Sequence, residues 1–194
     1  MIGQQPSQQQ PQDMRKMYKL KLVNELKKTG FIKSPRVAEV MFQVDRGEFW
    51  GSGQYDFNGN PQAGKDFINK DAYEDNPRPI NFNVVISAPK LHSFVLDLLE
   101  DVLTPGARVL DVGSGTGILC ACFYEMAKKE DGSANIVGIE HIEHLAQVSF
   151  QNLSKSYSKQ LQDQSIKLVV GDGRLGFPEG APFDAIHVGA GTPQ

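Results

Sequence analysis

The chain has 194 residues, enough for one domain with a real core, and its 40% hydrophobic and 22% charged content is that of a globular protein. A formal net charge of -3 gives no general attraction to nucleic acid or to an acidic membrane surface. Two cysteines exclude a disulfide framework, and an N-terminus without an apolar core excludes a signal peptide, so a cytoplasmic location is expected.

Residues 1–13 form a Gln-rich tail, with Pro6 and Pro11 among the glutamines, that cannot bury a face and is expected to be disordered. One domain is expected over 14–194, opening with helices in 14–49. Met17, Leu20, Val23 and Leu26 recur at helical spacing before Gly30. Ser34 then reads as an N-cap with Pro35 at the first helical position, ahead of an apolar stripe of Val37, Val40, Met41 and Val44. Residues 50–79 are rich in Gly and Pro and read as a partly ordered lid or insertion. Residues 80–194 form the ligand-binding core. They start with an extended apolar stretch, Ile80 to Ile86, and a helix entered through Ser87-Ala88-Pro89 that passes Phe94, Leu98, Leu99 and Val102.

The centre of the chain is Val109 to Val112, a buried strand, followed by Gly113, Gly115 and Gly117 and an apolar helix from Ile118. A dinucleotide fold would need a further glycine where Ile118 stands, and here Asp111 closes the strand instead. Strand and helix then alternate. Ile136 to Ile139 ends in Glu140, a helix runs from His144 to Asn152 and on towards Leu161, and Ile166 to Val170 ends in Gly171-Asp172-Gly173. Phe183 to Val188 is a fourth strand. This alternation predicts an α/β fold with a doubly wound, mostly parallel sheet. Asp111, Glu140 and Asp172 all fall at carboxyl ends of strands, where such sheets bind ligands. Cys120 and Cys122 read as small core residues. His141 and His144 lack the partners of a metal set, so no metal site is expected. His187 reads as a satisfied core histidine and Asp184 as a turn cap.

Four stretches resemble the protein-L-isoaspartate (D-aspartate) O-methyltransferase family. They are residues 30–41 leading to Val44-Asp45-Arg46, Ile86-Ser87-Ala88-Pro89-Lys90-Leu91-His92, the glycine segment 110–119, and residues 169–176 continuing into 181–190. The resemblance implies the class I fold of methyltransferases that use S-adenosylmethionine (SAM). It implies methylation of the free carboxylate of L-isoaspartyl and D-aspartyl residues in damaged proteins and peptides, after which the ester collapses to a succinimide. It makes Ser87 the active-site serine, with Val84, Val85, Ile86, Ser87 and His92 bordering the cofactor. Asp111, Gly113, Ser114 and Gly115 belong to the glycine motif of the cofactor site, Glu140 to the ribose, and Asp172 with Gly173 to the adenine. No nucleic-acid or membrane partner is implied.

The chain departs from the family pattern in three places. Asn83-Val84-Val85 stands where the family reads Gln-x-Thr, the 50–79 insertion is long, and the family continues past the fourth strand with further sheet strands. Those C-terminal strands are missing here, so the fourth strand is expected to offer an exposed edge for association. Ser87 is expected to donate a hydrogen bond to the substrate carboxylate rather than to act as a nucleophile; capping the following helix is its alternative role. Two other functions stay open on the sequence: SAM-dependent methylation of another acceptor, and a non-catalytic protein that binds partners.

Overall fold

The computed structural model describes residues 11–50 and 68–191. Its first half comprises helices α1 (Pro11–Lys28), α2 (Pro35–Gln43) and α3 (Arg46–Phe49), an antiparallel pair of β1 (Arg78–Pro79) and β2 (Val85–Ile86), and helix α4 (Pro89–Leu99). The second half alternates β3 (Arg108–Val112), α5 (Ile118–Ala127), β4 (Asn135–Glu140), α6 (Glu143–Ser154), α7 (Ser158–Gln162), β5 (Ile166–Val170) and β6 (Ala185–Val188).

These last four strands pair in parallel in the order β5-β4-β3-β6. The chain steps outward from β3 to β5 and then returns to lay β6 on the other side of β3. Strand order therefore switches between β3 and β6, and ligands of open α/β sheets bind beyond the carboxyl ends at such a switch. Among the described residues β6 lies at one end of the sheet.

Alternation along the strands sorts side chains to two faces. Val109, Ile136, Ile166 and Ala185 join Phe123, Leu145 and Leu153 in the main core beneath the helices. Leu110, Val137 and Ile139 form a smaller cluster on the opposite face, with Val112, Val169, Phe177 and Phe183 packed around it.

Local chemistry fixes the helix ends. The Ser34 hydroxyl accepts from the backbone N–H of Arg36 at 3.1 Å and of Val37 at 3.4 Å, the expected cap. The Arg36 guanidinium donates to the carbonyls of Glu100, Leu103 and Met126, tying the ends of α4 and α5 to α2. Cys120 and Cys122 are free and fully buried in α5, and burial raises both thiols well above their usual range, as inert core residues require.

The structure differs from expectation in several details. Helix α1 begins at Pro11, so Pro11 to Asp13 are helical rather than part of the tail; a proline in the first turn lacks only an N–H that has no helical partner. Residues 1–10 lie outside the described residues. The buried face of α1 is Leu22, Val23 and Leu26, while Met17 and Leu20 are half exposed, because Tyr18 turns inward to stack on Tyr73 at 5.7 Å. In the 50–79 insertion, residues 51–67 lie outside the described residues. Beyond them a turn at Lys70–Tyr73 buries Ala72 and Tyr73, and the Tyr73 hydroxyl donates to Asp45 at 2.6 Å. The stretch from Ile80 is not continuously extended. Asn81, Phe82 and Asn83 take left-handed φ of 75°, 52° and 56°, a conformation asparagine tolerates, and this folds β2 back on β1. Helix α4 stops at Leu99, short of Val102, and turns Phe94 and Leu98 to solvent, and the helix predicted to run towards Leu161 breaks into α6 and α7. No helix among the described residues is long and apolar enough to cross a membrane.

Candidate active site

Two openings adjoin the carboxyl ends of the strands. The smaller, about 330 Å³, is lined by Val84, Val85, Ile86, Ser87, His92, Asp111, Gly113, Ser114, Gly115 and Glu140, which the sequence assigned to one site. Asp172 and Gly173 line the larger opening instead, about 800 Å³, which lies over Leu110, Val112 and Ile139 on the second face of the sheet. Gly113, His141, Ala190 and Gly191 border both. The expected acidic rim is thus divided, with Asp111 and Glu140 on one side of Gly113 and Asp172 on the other.

The glycine loop is built by close approach. Gly113 has φ 79°, and a Cβ there would lie 2.8 Å from Cβ and 2.9 Å from the backbone N of Ala190, so the loop after β3 runs directly against the chain leaving β6. The N–H groups of Gly113 and Ser114 donate to the Ile139 carbonyl at 2.8 and 3.0 Å. Glu140 clamps the other side: Oε2 accepts from Gly115 N–H and Oε1 from Ile142 N–H, each at 3.0 Å. The carboxylate expected to meet a ribose therefore also holds the loop and the start of α6, and a carboxylate with about four acceptor sites retains two more. The hydroxyls of Ser114 and Thr116, both bordering the cavity, are buried with no partner among the described residues.

Asp111 is 1% exposed and needs a partner at that depth. The parallel register sets Asp111 opposite His187 across the switch, and His187 Nδ1 lies 2.7 Å from Asp111 Oδ1. A carboxylate accepts, so Nδ1 donates; Cys120 Sγ donates to the other oxygen at 3.5 Å. His187 is partnered, as expected of a core histidine, but it also lines the cavity. Its pairing was not legible without the register. On the other side, His92 contacts Arg46, and burial first, then Arg46 and His187, push its pKa well below the usual range.

Ser87 is half buried at the cavity wall, and its hydroxyl has no hydrogen-bond partner among the described residues. The capping alternative is not adopted: Ala88 occupies the N-cap of α4 and no side chain caps it. Asp172 accepts from the Arg174 backbone N–H at 3.0 Å and from its guanidinium at 2.6 to 3.0 Å, which holds the carboxyl down to about 2. Asp184, expected to cap a turn, instead accepts from Arg108 N–H at 2.8 Å across the sheet, where β3 and β6 begin to pair. His141 sits beside Glu140 at 3.3 Å and His144 against the Phe82 ring at 5.7 Å, both exposed. No cluster of three or more metal-ligating side chains occurs among the described residues.

The strand order, the glycine turn after β3 and the acid closing β4 define a Rossmann-like class I fold of the SAM-dependent methyltransferases. The sequence profile of the protein-L-isoaspartate(D-aspartate) O-methyltransferase family matches residues 17–194, and the chain belongs to that family. It is 45% identical over 174 residues to protein-L-isoaspartate O-methyltransferase 2 of Arabidopsis thaliana, covering 89% of this chain and 50% of that protein. Against the Triticum aestivum protein-L-isoaspartate O-methyltransferase, identity is 44% and coverage 89% and 67%. The chain therefore spans half to two thirds of the length of these relatives. A crystal structure from Plasmodium falciparum, described as a protein-L-isoaspartate O-methyltransferase in complex with S-adenosyl-L-homocysteine, superposes with a TM-score of 0.73 at 31% identity, covering 89% of this chain and 73% of that one.

Proposed function

We propose that the smaller cavity binds SAM and that the chain directs methyl transfer to the free carboxylate of L-isoaspartyl, and D-aspartyl, residues in proteins and peptides. The observation that carries this reading is the gathering of Ser87, His92, Asp111, the glycine loop and Glu140 around one cavity at the strand-order switch, in a chain of this family. The residues fit such a ligand. Two unpartnered buried hydroxyls and the spare acceptor sites of Glu140 suit a group bearing hydroxyls and an amine. Asp172 and Gly173, across Gly113 in the adjoining opening, are assigned the adenine end.

Bound there, SAM supplies a methyl group already activated by its sulfonium. The isoaspartyl α-carboxylate, with an ordinary pKa of about 3.5, is ionised at neutral pH and needs no general base. The task left to the chain is orientation, which can contribute roughly 7–11 kcal/mol. Ser87 serves it by donating its free hydroxyl to the carboxylate. Full-length chain given methyl-labelled SAM and a matched pair of isoaspartyl and aspartyl peptides should label the isoaspartyl peptide alone. Cofactor binding with equal labelling, or with none, points instead to another acceptor or to a binding role.

A further inference from the structure

Arg46 opens α3 and is 4% exposed, yet it forms no ion pair among the described residues. Its Nε is buried without a partner, and Nη2 donates to the Asn76 carbonyl at 3.4 Å. The remaining contact is Nη1 to His92 Nδ1, at 3.5 Å. A guanidinium has N–H donors and no acceptor, so Nδ1 of His92 can only accept there. A neutral ring that accepts at Nδ1 carries its proton on Nε2. His92 is 3% exposed, borders the cavity beside Ser87 and Asp111, and has no protein partner for Nε2 among the described residues. His187 is set the other way, donating through Nδ1 to Asp111.

We propose that Arg46 is a positioning residue of this site, acting through His92: it holds that imidazole as the neutral Nε2–H tautomer, so the cavity meets a fixed hydrogen-bond donor. The proposal rests on the cavity being the ligand site, and the acceptor that fits is a carboxylate, either the amino-acid end of the cofactor or the isoaspartyl substrate. Burial first, and then the cation against the ring, oppose a second proton, in line with the lowered His92 pKa. The charges facing the ring come from several elements. They are Arg46 on α3, His187 on β6 with Asp111 behind it on β3, and, around Arg46, Arg78, Asp75 and the Cys122 thiol. Lys90, on the helix of His92 itself, is paired with Asp75.

The test is nitrogen NMR of the imidazoles in the full, ligand-free chain between about pH 5.5 and 8, the window of an ordinary histidine. His92 should carry its proton on Nε2, leave Nδ1 bare and not titrate. In Arg46→Met the ring should stay neutral in its buried position but lose its single tautomer, with the proton shared between Nδ1 and Nε2, while Arg46→Lys, which keeps a donor there, should retain the Nε2–H form. Binding of S-adenosyl-L-homocysteine to Arg46→Met should then become about fivefold weaker, the scale of one neutral donor that is no longer fixed. If that affinity is unchanged while the KM for isoaspartyl peptide rises about fivefold, the carboxylate is the substrate's. A wild-type ring protonated on Nδ1, or an Arg46→Met ring that behaves as wild type, overturns the proposal. Should Arg46→Met not fold, the wild-type spectrum decides alone. Should the wild-type chain not bind S-adenosyl-L-homocysteine, the functional reading fails while the spectrum still judges the tautomer.

Discussion

The two faces of the sheet come from the same strands by simple alternation, yet they are finished differently. On one, Val109, Ile136, Ile166 and Ala185 are sealed beneath helices. On the other, Ile186 and Val188 remain 58% and 50% exposed beside a small cluster. The polar residues of the candidate site belong to the sealed face. Asp111 is in phase with Val109, Glu140 with Ile136 and His187 with Ala185, each at the carboxyl end of its strand. Close packing below holds the backbone that carries the chemistry above it. The open face contributes a wider aperture and Asp172, whose geometry is set by its own turn.

The contrast is most directly broken by truncating core side chains. Phe123 is fully buried in α5 with His187 against its ring at 6.0 Å, so Phe123→Ala should cost about 3–5 kcal/mol in urea unfolding. Ile186→Ala on the open face should stay within about 0.5 kcal/mol. Equal losses would mean that the open face is packed as tightly in solution as the sealed one.

Gly138 gives a finer version. A Cβ there would lie 2.7 Å from Cys120 Sγ and 3.0 Å from Ser114 Cβ, joining sheet, helix and glycine loop in one contact. Gly138→Ala should lose about 1–3 kcal/mol by overpacking. It should also weaken S-adenosyl-L-homocysteine binding by shifting Ser114. Adding Cys120→Ala should recover part of the stability, and strict additivity in the double-mutant cycle would remove the claimed contact.

Much of this was readable before the structure. The apolar runs at Val109, Ile136 and Ile166 and the glycines after them fix the alternation, because period and turn chemistry are local signals. Ser34 with Pro35 announced its cap for the same reason. What stayed hidden depends on register and tertiary approach. Nothing local says that Asp111 meets His187, that Arg46 reaches His92 across 46 positions, or that Glu140 clamps Gly115. The turn at Asn81 to Asn83 was missed because the apolar Phe82, Val84 and Val85 around it mask the left-handed preference of the two asparagines.

Ser87→Ala tests function rather than packing. Its hydroxyl makes no cap and has no partner, so the thermal midpoint and S-adenosyl-L-homocysteine affinity should be unchanged. Turnover on isoaspartyl peptide should fall about a hundredfold, the scale of losing one oriented donor. A parallel fall in stability and turnover would return Ser87 to a structural role.

The smallest effect is expected on the open side, at Asp172. Hydrogen bonds from Arg174 depress its carboxyl to about 2. A depressed carboxylate contributes to folding above its unfolded value, about 3.9, and that contribution is lost as pH falls through the folded value near 2. Both partners stand in solvent, where screening leaves such a pair little weight. Arg174→Gln should therefore return the Asp172 titration, followed by carboxyl carbon NMR, towards the ordinary range while barely moving the unfolding midpoint at pH 7. A midpoint shift as large as that of Phe123→Ala would show that the turn after β5 is a structural keystone, and that the open face is held by more than its own local bonds.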